Sequence, residues 1–365
     1  MSAPASAQMT ASLDPPAYAA LHSGQVIPAH PLALDERRRL DERRQRALTR
    51  YYLDAGAGGL AVAVHTTQFA VHRPELGLLR PVLELAAEEI GAHPRDGILR
   101  IVGVTGPTAQ AVAEAELARS LGYQIALVSP GGLEHYTDDQ LLDRCAAVGE
   151  VLPVFGFYLQ QAVGGRPLSR SWWRRLADQP STVGVKAAPF DRYRTLELVR
   201  GVVESSRGDA VALYTGNDDN IVADLLLPFD IHTPHGVIRR RFVGGLLGHW
   251  AVWTRFAVEL LELARRAANG DEAARCAALR HSAWITEANA AVFDVAHDFH
   301  GVIAGVHEVL RHQGLLAGTW CLDPQEGLSA GQAQAIGVMI ARVPELQAED
   351  AFVRDNLPRW LDKAQ

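Results

Sequence analysis

The run Ser181-Thr182-Val183-Gly184-Val185-Lys186 is short, apolar and rich in β-branched residues, and it ends on a lysine. Residues of this kind favour a pleated strand. Side chains alternate along a strand, so Lys186 is expected to share a face with Gly184 and Thr182, with Val183 and Val185 facing the other way. Outward from this run the same unit recurs. Apolar runs at 26–29, 59–64, 101–104, 125–128, 154–158, 183–186, 211–214 and 242–246 alternate with longer amphipathic segments, the pattern of parallel strands joined by helices. Segments 35–54, 108–121, 137–148, 169–177 and 192–205 read as helices. Gly122 sits at a C-cap position, and Thr137 and Ser169 suit N-caps.

Eight strands alternating with helices either close into a barrel or stay open as a doubly wound sheet. No GxGxxG follows the first strand and no GxxxxGK[ST] loop occurs. The reading is therefore α/β, a (β/α)8 TIM barrel over 21–250. A loose arm rich in Ala, Ser and Pro precedes it over 1–20. A C-terminal helical extension packed on the barrel follows over 251–365, with helices expected at 251–268, 272–306 (open to a break) and 330–340.

Composition narrows the function. The 365 residues carry a formal net charge of −7, which disfavours a nucleic-acid partner. The runs Arg37-Arg38-Arg39 and Arg239-Arg240-Arg241 read as a solvated helix face or a strand entry. Cys145, Cys276 and Cys321 are scattered and form no CxxC pair, which suits a reducing, cytoplasmic location. No apolar stretch approaches a membrane span and no secretory leader is legible, so no membrane partner is expected.

Barrels of this kind place chemistry at the C-terminal ends of their strands. The polar residues expected there are His30, His65-Thr66-Thr67, Tyr158, Lys186, Gly216-Asn217-Asp218-Asp219, and His249 after Gly244-Gly245. Lys186 is the most informative. Pointing into the barrel mouth, it would be buried, burial disfavours the ammonium form, and a neutral amine attacks a ketone. The plain alternative is a lysine at a strand end reaching for water.

Several segments carry a resemblance. Leu152-Pro153-Val154-Phe155-Gly156-Phe157-Tyr158 with Val183-Gly184-Val185-Lys186 resembles the LPxxxYN…GIK pattern of the dihydrodipicolinate synthase / N-acetylneuraminate lyase family. Gly58-Gly59-Leu60-Ala61-Val62-Ala63-Val64-His65-Thr66-Thr67 resembles its GxxGLxxxGTTGE segment, and Val102-Gly103-Val104-Thr105-Gly106 its third strand. The resemblance spans about residues 24 to 250. It implies a barrel with a helical extension, a dimer or tetramer, no cofactor beyond a covalent lysine imine, and a small-molecule 2-oxo acid, usually pyruvate, bound on Lys186. It further implies that Thr66 and Thr67 hold the oxo-acid carboxylate. It makes Tyr158 the proton carrier, although counting from Leu152-Pro153 favours Phe157 and counting back from Lys186 favours Tyr158.

The chain also departs from the pattern. Gln68-Phe69 replaces the family's Gly-Glu, His65 its preceding glycine, and Gly131-Gly132 its tyrosine pair. Arg166 stands three residues beyond the position of the family's arginine, where this chain has Val163. These departures suggest a divergent aldolase or dehydratase. Its acceptor is expected to be sugar-derived and polyhydroxylated, and shaped by His65, Gln68, Arg166, Gly216, Asn217, Gly244 and His249. Two other classes remain. His30, His65, His249 and His300 with Asp218 or Asp219 would suit a metal-dependent lyase or isomerase, and Asp294, His297 and His300 would share one helix face. A non-catalytic 2-oxo-acid-binding barrel is the third.

Overall fold

The structure, a computed structural model, describes residues 11–362. Strands β1 (Val26–Pro28), β2 (Gly59–Val62), β3 (Leu99–Val104), β4 (Ile125–Val128), β5 (Val154–Leu159), β6 (Thr182–Ala188), β7 (Ala212–Thr215) and β10 (Gly244–Leu247) form one eight-stranded parallel sheet. A parallel bridge between Ala29 and Ala61 joins β1 to β2, so the sheet closes on itself. This is the expected (β/α)8 barrel, and each expected strand overlaps an observed one. The sequence reading missed the antiparallel hairpin β8 (Phe229–Thr233) and β9 (Gly236–Arg240), which precedes the last barrel strand. Its arginines are engaged: Arg239 pairs with Asp230, and Arg240 and Arg241 donate to the carbonyls of Val211 and Leu226.

Two apolar layers follow from strand alternation. Ile27, Ile101, Leu127, Phe155, Phe157 and Tyr214 pack inside the barrel. Val62, Val102, Val128, Val185 and Leu213 pack outward under the helices. The expected alternation fails at one place. The register with β5 jumps between Val154, opposite Thr182, and Phe155, opposite Gly184. A bulge of this kind reverses the facing of residues before it. Thr182 therefore turns outward and donates its hydroxyl to the Leu176 carbonyl at 2.7 Å, while Val183 joins the barrel interior.

The ends of the barrel are treated differently. Residues 1–10 of the expected arm lie outside the described residues, but Pro15–Ser23 is a helix, capped by the Asp14 carboxylate. Its Leu21 enters the interior layer and its carbonyl accepts from the Tyr214 hydroxyl at 2.8 Å, closing the N-terminal end. The extension supplies helices Thr254–Ala268, Glu272–Arg280, Ser282–Val292, Val302–His312, Gln332–Arg342 and Pro344–Asp362. The helix expected over 272–306 is thus broken. Asp294, Asp298 and Phe299 have positive φ, so Asp294, His297 and His300 lie on an irregular turn and not on one helix face. None of the described helices is long and apolar enough to cross a membrane.

Candidate active site at the barrel mouth

β6 carries Lys186 to the C-terminal end of the barrel. Gly184, Lys186 and Ala188 face inward there, and a Cβ on Gly184 would come within 2.6 Å of the Phe155 ring. Lys186 opens onto a cavity of about 530 Å³, a volume that includes space continuous with solvent, lined also by His65, Thr66, Phe157, Gly216 and Asp218. The lysine is 8% exposed. Burial lowers its pKa to about 8, and the nearby Asp218 charge opposes that fall. Asp218 responds in the opposite sense. Burial raises its pKa to about 7, countered by the amide of His249, which donates to its Oδ1 at 2.8 Å, and by Lys186. Two groups buried together with opposite shifts titrate as a pair, and such a pair in a cleft is the arrangement that acid–base chemistry uses.

Gly216 is a spatial requirement of this pair. A Cβ there would lie 2.4 Å from Lys186 Cε and 2.8 Å from Ala188 Cβ. Gly216→Ala is expected to push the amine aside and slow its reaction with a 2-oxo acid, by roughly 10- to 100-fold. The rate of borohydride-trapped adduct formation measures this, and an unchanged rate would show that the lysine has room to move.

The expected proton carrier is corrected. Phe155, Phe157 and Leu159 point into the barrel, so Tyr158, between them, points out. Its ring packs 5.2 Å from that of Trp173, and its hydroxyl accepts from the Leu168 amide at 3.3 Å. Phe157, level with Lys186 in the sheet, places its ring centroid 4.4 Å from Nζ. The inward position beside the lysine therefore carries no hydroxyl.

The segment after β2 divides its tasks. His65 and Thr66 line the cavity. Burial, and next the Lys186 charge, lower the His65 pKa to about 4, so its imidazole is neutral near pH 7. The Thr66 hydroxyl donates to the Ala29 carbonyl at 2.7 Å. Thr67 does not line the cavity: its hydroxyl donates to the His30 carbonyl at 2.6 Å and accepts from the Val64 amide at 3.2 Å. Thr67 is thus a brace for the turn. Thr67→Val would leave both buried backbone groups without partners, and a loss of about 1–3 kcal/mol in unfolding free energy is expected, measurable by urea denaturation.

Five other expected residues are placed differently. Gln68 Oε1 accepts from the Leu322 amide at 2.6 Å, tying the turn to the extension. Arg166 donates to the Tyr136 carbonyl and pairs with Asp138, holding the loop after β4. Val163, not Arg166, lines the cavity. Asn217 contributes indirectly. Its Oδ1 accepts from the Phe190 amide at 3.1 Å, and its Nδ2 donates to Thr195 and Asp224. Gly244 begins β10 against the backbone of Gln25, at the far end from the mouth, and Gly248 lines the cavity instead. His249 supplies only its backbone amide to the site, since its ring sits 5.4 Å from that of Trp253 in a separate small cavity.

The histidine set does not converge. His30 faces outward, with ring nitrogens 2.8 Å from the Pro31 carbonyl and 2.9 Å from the Thr49 hydroxyl. Among the described residues no three His, Cys, Asp or Glu side chains come together as a metal site requires.

Sequence reasoning missed Asp218 as a partner of Lys186. The available signal was its place in the Gly216-Asn217-Asp218-Asp219 run at a strand end. A second signal lay in composition. Of the 35 Lys and Arg residues only Lys186 and Lys363 are lysines. An arginine cannot supply a neutral amine.

No protein-family model matches the sequence, and no curated protein matches it. Solved structures do match in fold. An N-acetylneuraminate lyase from Fusobacterium nucleatum, complexed with pyruvate, is 18% identical, with a TM-score of 0.69 over 89% of this chain and 98% of its own. A dihydrodipicolinate synthase from Acinetobacter baumannii, also complexed with pyruvate, is 18% identical, with a TM-score of 0.71 over 89% and 99%. A prophage protein of the dihydrodipicolinic acid synthase family from E. coli K12 is 16% identical, with a TM-score of 0.71 over 89% and 98%. The chain has the fold of the dihydrodipicolinate synthase / N-acetylneuraminate lyase barrels.

Proposed function

We propose that this chain is a divergent member of that family. In this reading it is a lyase that makes or breaks a bond beside the oxo group of a 2-oxo acid held as an imine on Lys186. The observation that carries the reading is the buried lysine at the end of β6 with a carboxyl group beside it in the cavity. Neutral Lys186 Nζ adds to C2 of the oxo acid, the protonated Asp218 carboxyl group gives its proton to the departing hydroxyl, and water leaves, giving the Asp218 carboxylate and the protonated imine. Its positive charge draws the electron pair of a C3–H bond inward, and the Asp218 carboxylate takes that proton. The resulting enamine carbon attacks a carbonyl, or in reverse a C–C bond beside it breaks. Water then releases the product and restores the amine. The substrate carboxylate is assigned to the His65–Thr66 side of the cavity, where polar side chains line the wall and the Lys186 charge acts on His65.

Pyruvate and other 2-oxo acids with borohydride test this. With two lysines in the chain, a reduced adduct maps by peptide mass to Lys186 or Lys363. An adduct on Lys186 alone is expected, and failure of every 2-oxo acid to modify Lys186 would sink the reading.

A further inference from the structure

Away from Lys186, Asp218, His65 and Thr66, the cavity lining is mostly apolar. Phe157, Leu159, Val163 and Phe190 come from the barrel and its loops, and Phe293 and Val302 from the extension. Apart from Lys186, Asp218, His65 and Thr66, Gln160 is the one lining residue with a polar side chain. Of the polar side chains that sequence reasoning assigned to acceptor hydroxyls, His65 lines the cavity, and the others are committed elsewhere: Arg166 to the β4 loop, Asn217 beneath Phe190, Gln68 to Leu322, and the His249 ring against Trp253.

The aromatic walls are held in place by the fold. Phe190 has a φ of +52°, a conformation costly for a bulky residue, and its amide is fixed by Asn217. Its ring meets that of Phe299 edge-on, with centroids 5.9 Å apart. Phe293 ends its helix pressed on Gly248, where a Cβ would come within 2.8 Å of Cζ. The extension therefore builds part of the substrate wall.

We propose that the acceptor half of this site takes an apolar aldehyde, resting on the Schiff-base reading above. C3 of the Lys186-bound enamine forms a bond to the aldehyde carbon, and the aldehyde oxygen takes a proton and becomes a hydroxyl. Hydrolysis by one water frees a 4-hydroxy-2-oxo acid with the apolar group on C4. Cleavage is the reverse, and no oxidant or reductant is consumed. Apart from Gln160 the acceptor wall offers no polar side chain, so further hydroxyls on the acceptor would enter it largely without partners, at a cost of roughly tenfold or more in kcat/KM.

The test compares benzaldehyde and 3-methylbutanal with erythrose, N-acetylmannosamine and aspartate semialdehyde, each with pyruvate, by mass spectrometry of the product. Trapping of pyruvate on the wild-type protein runs in parallel. Pyruvate trapped on Lys186, with kcat/KM about 100-fold higher for an apolar aldehyde than for the others, supports the inference. Phe293→Asn is expected to lower the benzaldehyde value roughly tenfold and narrow that gap. Trapping accompanied by equal or better use of the hydroxylated or charged aldehydes, or by use of none, overturns the apolar acceptor and leaves the imine reading standing. Absence of trapping overturns the imine reading instead, and the acceptor with it.

Discussion

Lys186→Ala is expected to abolish turnover, by a factor on the order of 10⁴–10⁶, and to remove all borohydride-trapped adduct. The size follows from the role. In the proposed mechanism every step needs the imine nitrogen as electron sink, and Lys186 is the only lysine among the described residues. The variant should still fold. Asp218, already pushed up to about 7 by burial, loses the ammonium that opposes the shift and takes a proton, so no bare charge is left in the cavity. Circular dichroism and thermal unfolding would check this. A variant that folds and retains even a tenth of the wild-type rate would remove Lys186 from the mechanism.

Asp218→Asn is expected to separate imine formation from turnover. In the wild-type protein the reactive amine fraction grows as pH rises toward and through about 8, so trapping should rise over that window and level off above it. The Asp218 charge holds the lysine pKa up against burial. Removing that charge should let the pKa fall further, and the rise in trapping should move to lower pH. Turnover should nevertheless fall by about 10²- to 10⁴-fold, because an amide cannot take the C3 proton. A purely structural role predicts loss of both readouts at every pH. Turnover within threefold of wild type would instead transfer the proton to His65, the other titratable side chain lining the cavity beside the lysine.

Acceptor preference and the pH dependence of trapping are expected to be separable, because the proposals place them on different residues. The amine and its carboxyl neighbour sit on loops and strand ends of the barrel. The apolar wall is completed by Phe293 and Val302, which belong to the extension.

Several features were legible in the chain itself. Eight apolar runs with β-branched residues, separated by capped amphipathic segments, can bury their surfaces in few ways, and the barrel followed from their number and order. The position of Lys186 at a strand end, next to Gly184, followed from local alternation. Thr66 at the mouth followed from its place just beyond β2. These are properties of residues close in sequence, where strand periodicity governs direction.

Other features depended on distant residues. Nothing near Tyr158 says that it faces Trp173 and Leu168. The register of β5 against β6 decides that Phe157, not Tyr158, stands beside Lys186. The bulge that turns Thr182 outward belongs to the same pairing. Arg166, Gln68, Asn217 and His249 looked available for a hydroxylated substrate because a sequence shows a polar group without showing its partner. Folding gave each a partner or a burial site elsewhere. The sequence by itself determined the barrel and its lysine, because both rest on strand periodicity. Only the tertiary structure paired that lysine with Asp218 and lined the cavity with Phe190, Phe293 and Val302, because burial and partner choice are set by contacts between segments far apart in the chain.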